Sequence, residues 1–497
     1  MRLNPSDVLT ALAQVWPTSP LPDELPTFPD QVRIKMDSRE LQQGDIFVAI
    51  PGSQRDGREF IAQALDAGAA LILAQGHGGD VQLEGRVLTL PHLSMRLGEL
   101  GRALFKVPRD LEVIGVTGTN GKSSVTHYIA ALSEALGTPT GLIGTLGVGR
   151  PGKLSDTGLT TPGSLELQAT LGELASQGVR RVALETSSHA LDQHRLEAVN
   201  VTVGVFTNLS RDHLDYHGSM AAYAAAKAKL FRRTEINLAV VNGDDPLARL
   251  MLAGCAENVR VLATGQDEAV TLRVLDWQAF EQGQQAMIAT PEGEKILTLK
   301  LMGRFNLDNV LQAIAALYGI GEPLEALFEA ASALTSIQGR MELYRDTNAP
   351  SVVLDYAHTP GALRSALQAL RAHLGDAGKL WCVFGCGGER DTGKRAEMAK
   401  AAEQFADHVV VTDDNPRHES AEQIRQQILA GFSEAAQPVE IGDRREAVAS
   451  VIQQAAAADV VLIAGKGHEA YQDIQGIRHA YADSEEIQKA FAARSGS

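Results

Sequence analysis

The stretch "GVTGTNGKSS", Gly115–Ser124, follows the apolar run "LEVIGVTG" and opens "KSSVTHYIAALSEALG", whose apolar residues recur at helical spacing. Glycines in such a stretch let the backbone curl so that its N–H groups face a phosphate. The helix N-terminus behind it adds about half a positive charge. Lys122 can reach terminal phosphates, and Ser123 can ligate Mg²⁺. The strict pattern G-x-x-x-x-G-K-[ST] places a glycine where Val116 stands; Gly115 and Gly118 carry the turn instead. A plain glycine-rich turn is the alternative, and the strand before and helix after favour nucleotide binding. The expected ATP-binding loop is Thr117, Gly118, Thr119, Asn120, Gly121, Lys122 and Ser123.

The same alternation of strand and helix extends outward. "RRVALETSS", "VTVGVFTNLS" and "INLAVVNGDD" are apolar runs that end in polar residues, which predicts a buried, mostly parallel sheet. From "VTLRVLDWQAF" to "KILTLKLMG" the alternation has period two and predicts an antiparallel insertion. A second series follows, with strands in "SVVLDYAHT", "KLWCVFGCGG", "HVVVTDDNP" and "DVVLIAGKGH". It reads as a Rossmann-like domain. Its "GCGGER" has Arg390 where a dinucleotide fingerprint needs its third glycine, so NAD is not indicated. Before the loop, "DIFVAIPG" and "REFIAQALDAGAALILAQ" form a small α/β unit. The reading is an α/β chain of three domains: 1–90, 91–335 and 336–497, with a central phosphate-loop sheet.

Length agrees, since 497 residues exceed what one core organises. The net charge of −16 excludes wholesale nucleic-acid binding, so an anionic substrate must meet local arginines, lysines and helix ends. Cys255, Cys382 and Cys386 form no CxxC pair, and are read as buried or spectator thiols in a reducing cytosol. The start lacks a secretion signal and no run approaches ~18 apolar residues, so a cytoplasmic protein is expected, without a membrane span.

Two further stretches carry candidate chemistry. Glu185 ends the strand in "ALETSSHALDQHR", and Asp212 and His213 follow the next strand in "NLSRDHLDYHG". Ends of parallel strands gather over one crevice, where a carboxylate and an imidazole could hold Mg²⁺ against phosphates. The alternatives are a helix cap for Glu185 and a satisfied loop histidine for His213. In "GSMAAYAAAKAKLF", Ser219 is a helix N-cap, and Lys227 and Lys229 read by themselves as solvated side chains. In "TDDNPRHES", Thr412–Ser420, Asn-Pro stops regular structure, and a loop that only turned would not need Arg417.

The loop variant G-x-x-G-T-N-G-K-S resembles the ATP loop of the Mur ligases, the amide-forming enzymes of peptidoglycan precursor synthesis; the folylpolyglutamate synthases have a related one. The resemblance covers nearly the whole chain, in order: "DSR", "GTNGKS", "TTPGSLELQ", "ETSSHALDQHR", "FTNLSRDHLDYHG", "GRFNLDN", "GRME", "DYAHTP", "GCGGERD", "DNPR" and "AGKGHE". It implies a monomer whose first domain binds the UDP end of the substrate, the second ATP, and the third an amino acid. It implies that meso-2,6-diaminopimelate is joined to UDP-MurNAc-L-Ala-D-Glu at the cost of ATP, with Mg²⁺. Met36, Ser38, Ser53, Gln54 and Arg55 match uridine-contacting positions. Thr160, Thr161, Ser187, Gln193 and Arg195 match positions that hold the muramoyl-dipeptide. Leu159 and Gly163 depart from the pattern, standing where other members carry Asn and Asp. Asn306, Asn309, Arg340, Asp355 and His358 match ATP contacts.

The resemblance also implies that Lys122, Glu185, His213 and Lys227 serve catalysis, with Lys227 carbamylated and Ser123, Glu185, His213 and that carbamate as metal ligands. Arg390, Asp414, Asn415, Pro416, Arg417, Gly465 and Glu469 would bind diaminopimelate, Arg417 clamping its far carboxylate. Three rivals remain: the same reaction with L-lysine, whose side-chain ammonium Arg417 would repel; a folylpolyglutamate synthase, lacking the uridine domain and "DNPR"; and a nucleotide-dependent switch without catalysis.

Overall fold

The computed structural model describes residues 2–22, 25–52, 55–280, 282–375 and 377–495. They form two compact units, Met1–Val113 with Thr138–Thr202 and Ile114–Gly137 with Val203–Ser497.

In the first unit, the strands Ile34–Lys35, Ile46–Ala49, Leu71–Gly76 and Val87–Pro91 lie parallel in that order, and Gln82–Glu84 closes the edge antiparallel. "IFVA" is buried at every position, as a strand covered on both faces must be. The helices Pro5–Val15 and Leu93–Leu104 bury Val8, Leu12, Leu97 and Leu100 against Val48, Leu73 and Leu90. Two glycines let elements approach: a Cβ on Gly98 would lie 2.2 Å from the Glu197 carbonyl oxygen, and one on Gly172 2.3 Å from that of Phe105. The strands Thr140–Gly144 and Arg181–Glu185 pair in parallel, followed by the antiparallel Gly147–Arg150 and Lys153–Ser155.

In the second unit, the strand that ends at Thr117 neighbours Val201–Phe206, which continues in parallel through Leu238–Asn242, Arg260–Gly265 and Leu272–Phe280. Gly283–Thr290 and Gly293–Leu299 complete the expected antiparallel insertion. The helix Lys122–Ala135 packs on Arg304–Gly319. A six-stranded sheet forms the C-terminal part, in the order Glu342–Tyr344, Ser351–Asp355, Val460–Ala464, Leu380–Phe384, His408–Val411, Val439–Glu440. All its pairs are parallel except the first.

The helices Pro360–His373, Gly393–Phe405 and Ala421–Leu429 cover one face of this sheet, and Arg444–Gln454 and Asp483–Ser495 the other. This is the doubly wound arrangement expected from the sequence. The crevice of such a sheet opens at the carboxyl ends of its strands. Gly465, "GCGGER" and "DNPR" all follow such ends.

Candidate active site

Thr117 ends its strand fully buried, and the loop turns on Gly118 (φ 150°) and Gly121 (φ 86°), backbone that side chains rarely adopt. Neither has room for more. A Cβ on Gly118 would lie 1.8 Å from Thr207 Oγ1, and one on Gly121 2.6 Å from Asn309 Oδ1. The next strand's end clamps the loop. Asn120 N donates to Asn208 Oδ1 (3.0 Å), Thr119 N to Asn208 O (2.8 Å), and Thr207 Oγ1 to Asn120 O (2.6 Å). Lys122 Nζ folds onto the carbonyls of Gly118 (3.0 Å) and Thr119 (2.9 Å). Ser123 is buried in the first turn of the helix. Asn306 Nδ2 donates to Met302 O (2.8 Å) and its Oδ1 accepts from Tyr128 OH (3.2 Å). Asn306 and Asn309 thus lie where their helix braces the loop from behind.

Lys227 is not the solvated side chain its sequence setting suggested. It is 1 % exposed and donates to Gly118 O at 2.7 Å. Burial holds its ammonium well below the usual lysine range; nearby Lys122 pushes the same way and Asp212 opposes. Ser219 caps this helix as expected, accepting from Ala222 N at 3.2 Å. His213 is exposed at φ 51° with Nε2 3.5 Å from Asp212 Oδ2, and its ring stands edge-on to Tyr223.

In the other unit, Glu185 ends its strand fully buried. Its Oε1 accepts from Thr145 N (2.9 Å) and its Oε2 from Thr145 Oγ1 (3.1 Å). Thr161 Oγ1 donates to the Glu185 carbonyl (2.7 Å), and Thr160 and Thr145 hydroxyls meet at 3.0 Å. Ser187 caps a short helix through Ala190 N (3.1 Å). Arg195 reaches Thr161 O (2.9 Å) and Gln193 Oε1 (2.6 Å). The structure therefore brings Thr160, Thr161, Glu185, Ser187, Gln193 and Arg195 together. Thr145, which sequence reasoning missed, ties Glu185 to Thr160; its signal was its place directly after the buried strand "TGLIG".

Mg²⁺ takes hard oxygen donors, which the Glu185 carboxylate supplies in the first unit and the Ser123 hydroxyl in the second; the exposed His213 imidazole is a softer donor that suits the ion less well. The bare Lys227 ammonium does not suit it, and a carbamate would. Among the described residues no group of three or more His, Cys, Asp or Glu could hold a metal.

Of the uridine candidates, Met36 and Arg55 are exposed, and Ser38 Oγ donates to Gln63 Oε1 at 3.3 Å. Ser53 and Gln54 lie outside the described residues.

In the C-terminal sheet, Asp355 Oδ2 accepts from Met341 N (2.8 Å), and burial raises its carboxyl against the nearby Arg340 charge. The Arg340 guanidinium lies 4.4 Å from the Tyr356 ring centre. His358 Nδ1 donates to Tyr356 O (2.9 Å), and burial, then Lys394, lower its basicity. Asp414, Asn415 and Pro416 are buried. Gly465 (φ 115°) has no room for a Cβ, which would lie 2.7 Å from Asp414 Oδ2. The side chain of Asn415 is engaged by Glu469, Lys466 and Asp473 N. Arg417 takes φ 52° and donates Nη1 to Gly388 O at 2.5 Å, while Arg390 is exposed. Cys382 and Cys386 are buried, with thiols pushed up by burial, and Cys255 is half-buried.

Three Mur ligase domain families match the chain: the Mur ligase family catalytic domain over residues 32–102, the middle domain over 116–317, and the glutamate ligase domain over 339–467. A Pseudomonas aeruginosa protein is 45% identical over 463 residues, 93% of this chain and 95% of its own length. A Coxiella burnetii protein is 42% identical over 465 residues, 92% of this chain and 95% of its own. This chain belongs to the Mur ligase family. Both relatives are named UDP-N-acetylmuramoyl-L-alanyl-D-glutamate–2,6-diaminopimelate ligase. A solved structure of a ligase of that name is 36% identical and superposes with TM-score 0.71 over 98% of this chain and 99% of its own. A Mycobacterium tuberculosis folylpolyglutamate synthase, 21% identical with TM-score 0.59 over 81% of this chain and 93% of its own, shares the fold.

Proposed function

We propose that the protein is an ATP-dependent amide ligase that joins meso-2,6-diaminopimelate to UDP-MurNAc-L-Ala-D-Glu in peptidoglycan precursor synthesis. The observation that carries this reading is the 45% identity, over 93% of the chain, to a ligase named for that substrate pair. The geometry agrees with it: a nucleotide loop clamped from two sides, a hydroxyl-rich cluster around Thr161, and a buried amino-acid cradle at "DNPR".

A carboxylate resists attack by an amine because oxide is a poor leaving group. The D-glutamate γ-carboxylate attacks the γ-phosphate, giving an acyl phosphate and ADP. The amine of diaminopimelate then attacks the acyl carbon, loses a proton and expels phosphate. Lys122 and the helix N-terminus behind it stabilise charge on the transferring phosphoryl group. Bound Mg²⁺ would supply further neutralisation between the two anions, held by Ser123, Glu185, His213 and carbamylated Lys227.

Thr160, Thr161, Ser187, Gln193 and Arg195 orient the muramoyl-dipeptide, and Met36, Ser38, Ser53, Gln54 and Arg55 its uridine end. Asn306, Asn309, Arg340, Asp355 and His358 complete the ATP site. Arg390, Asp414–Arg417, Gly465 and Glu469 receive the amino acid, with Arg417 on its far carboxylate. The three domains are 1–90, 91–335 and 336–497, in a cytoplasmic monomer. Among the described residues no helix is long and apolar enough to cross a membrane.

Phosphate release in the presence of UDP-MurNAc-L-Ala-D-Glu tests the reading. Release should depend on meso-diaminopimelate and be far slower with L-lysine. Comparable rates with both, or ATP hydrolysis indifferent to any amino acid, would overturn it.

A further inference from the structure

A lysine that sequence reasoning passed over lies at the centre of the amino-acid cradle. Lys466 follows the strand Val460–Ala464 and is completely buried. A buried ammonium is tolerated only with partners, and these are specific. Its Nζ donates to Glu469 Oε2 (3.0 Å) and Asn415 Oδ1 (3.0 Å) and stands 3.9 Å from Asp414 Oδ1. Asn415 Nδ2 donates to the same Glu469 oxygen at 2.8 Å. Asp473 N, on the strand Tyr471–Ile474, donates to the same Asn415 oxygen at 3.0 Å. The carbonyl of Asp473 accepts from Arg417 N (2.9 Å), and Arg417 O accepts from Gln475 N (2.8 Å), which holds Arg417 at φ 52°. The hydrogen bonds thus run from Lys466 through Asn415 and Asp473 to the Arg417 backbone, and directly from Lys466 to Glu469.

The charges point the same way. Asp414 and Glu469 set two carboxylates beside the one Lys466 ammonium, which gives an incoming ammonium acidic partners, and Arg417 is left for a carboxylate. Buried charge imbalance is expensive, so the cradle is matched to the zwitterionic end of an amino acid.

Resting on the function proposed above, we infer that Lys466 is a positioning residue for amino-acid selection: it holds Asn415 and Glu469, and through Asp473 the Arg417 backbone, in place before the amino acid binds. Its hydrogen bonds go to Asn415 and Glu469 and not to the phosphate loop, so its effect is confined to the third substrate.

The test compares wild-type, Lys466→Met and Lys466→Gln full-length proteins in phosphate release, with meso-diaminopimelate and with L-lysine, alongside thermal melts. Lys466→Met should raise the KM for diaminopimelate at least about tenfold and lower its preference over L-lysine by a similar factor, leaving the KM for ATP unchanged. Lys466→Gln keeps an amide donor for Asn415 without the charge, and should fall between the two. Lower melting temperature with unchanged preference would overturn the inference, as would equal rises in the KM of ATP and diaminopimelate. Failure of both variants to fold would also overturn it, leaving Lys466 as a structural ion pair. Wild-type protein that releases no phosphate in response to either amino acid overturns the proposed function instead, before any variant is compared.

Discussion

Lys227 Nζ lies 2.7 Å from the carbonyl oxygen of Gly118, so a buried amine is bonded to the phosphate loop itself. Burial, aided by Lys122, favours its neutral form, and a neutral amine is the species that adds CO₂. Labelled bicarbonate should give a carbamate carbon signal in the wild-type protein and none in Lys227→Ala. That variant should lose on the order of 10²–10³ in turnover, as for loss of one preorganised electrostatic group. An unchanged carbon spectrum, or full activity of the alanine variant, would show that the amine serves only to tie the loop.

Gly118→Ala places a methyl 1.8 Å from Thr207 Oγ1, the atom that clamps Asn120 O. Overpacking of this kind costs about 1–3 kcal/mol, and here it also displaces the clamp. ATP affinity measured by calorimetry should fall at least tenfold, at about 1.4 kcal/mol per decade. Gly137→Ala is the control. Its φ is also positive (86°, against 150° at Gly118), with nothing within 4 Å, just past the end of the same helix. It should cost about 1–2 kcal/mol of stability without touching affinity.

Arg417 donates Nη1 to the Gly388 carbonyl, and a guanidinium carries five N–H donors, more than this one bond uses. Arg417→Ala should abolish the use of diaminopimelate, a loss of about 2–5 kcal/mol for one partner of a desolvated charge pair, while ATP binding survives. Loss of ATP binding in this variant would assign the arginine another role.

His373 Nε2 accepts from Gly303 N and its Nδ1 donates to Phe280 O, both at 2.8 Å, so the end of its helix is joined to the start of Arg304–Gly319 by a neutral ring. Burial lowers its basicity below the ordinary value of 6.5. Below that pH the unfolded chain takes up a proton that the folded chain refuses, so stability is full above it and falls as pH drops. His358, also lowered, adds in the same direction. Urea midpoints should therefore fall between pH 7 and pH 5, over which an ordinary imidazole titrates at ~6.5, and His373→Gln should flatten part of the slope. An equal slope in the variant would remove His373 from the account.

Arg444 and Asp483 form a pair with no solvent exposure on either side chain, joined by two hydrogen bonds of 2.8 Å. Tyr481 OH also donates to Asp483 at 2.6 Å, and Arg444 donates to the carbonyl of Ala464, just before Gly465. Asp483→Asn keeps the shape and strands the guanidinium. It should cost about 3–5 kcal/mol in denaturant unfolding. A cost under about 1 kcal/mol, the range of exposed pairs, would mean that water reaches the pair.

The succession of strands and helices was legible in the sequence, because each depends on local pattern. "IFVA" and "VVLIA" are uninterrupted apolar runs, the helices carry apolar faces, and the phosphate loop needs glycines whose positive φ no nearby side chain can replace. The antiparallel insertion showed itself as a change of period, and the cap at Ser219 as a residue type at a helix start. Position along the chain also marked Glu185 and the "DNPR" loop.

Burial of charge was not legible, because it is set by what other segments bring. Lys227 looks like any helical lysine until Gly118 and Tyr223 enclose it, and Thr145 looks like any strand-end threonine until Glu185 meets it. Asn415 has the composition of a turn, yet Lys466 and Asp473, distant in sequence, take up its side chain. Sequence by itself determined the glycine turn between strand and helix and the family to which the chain belongs. Only the tertiary structure decided which lysines are buried, since desolvation and ion pairing depend on distances that no local pattern contains.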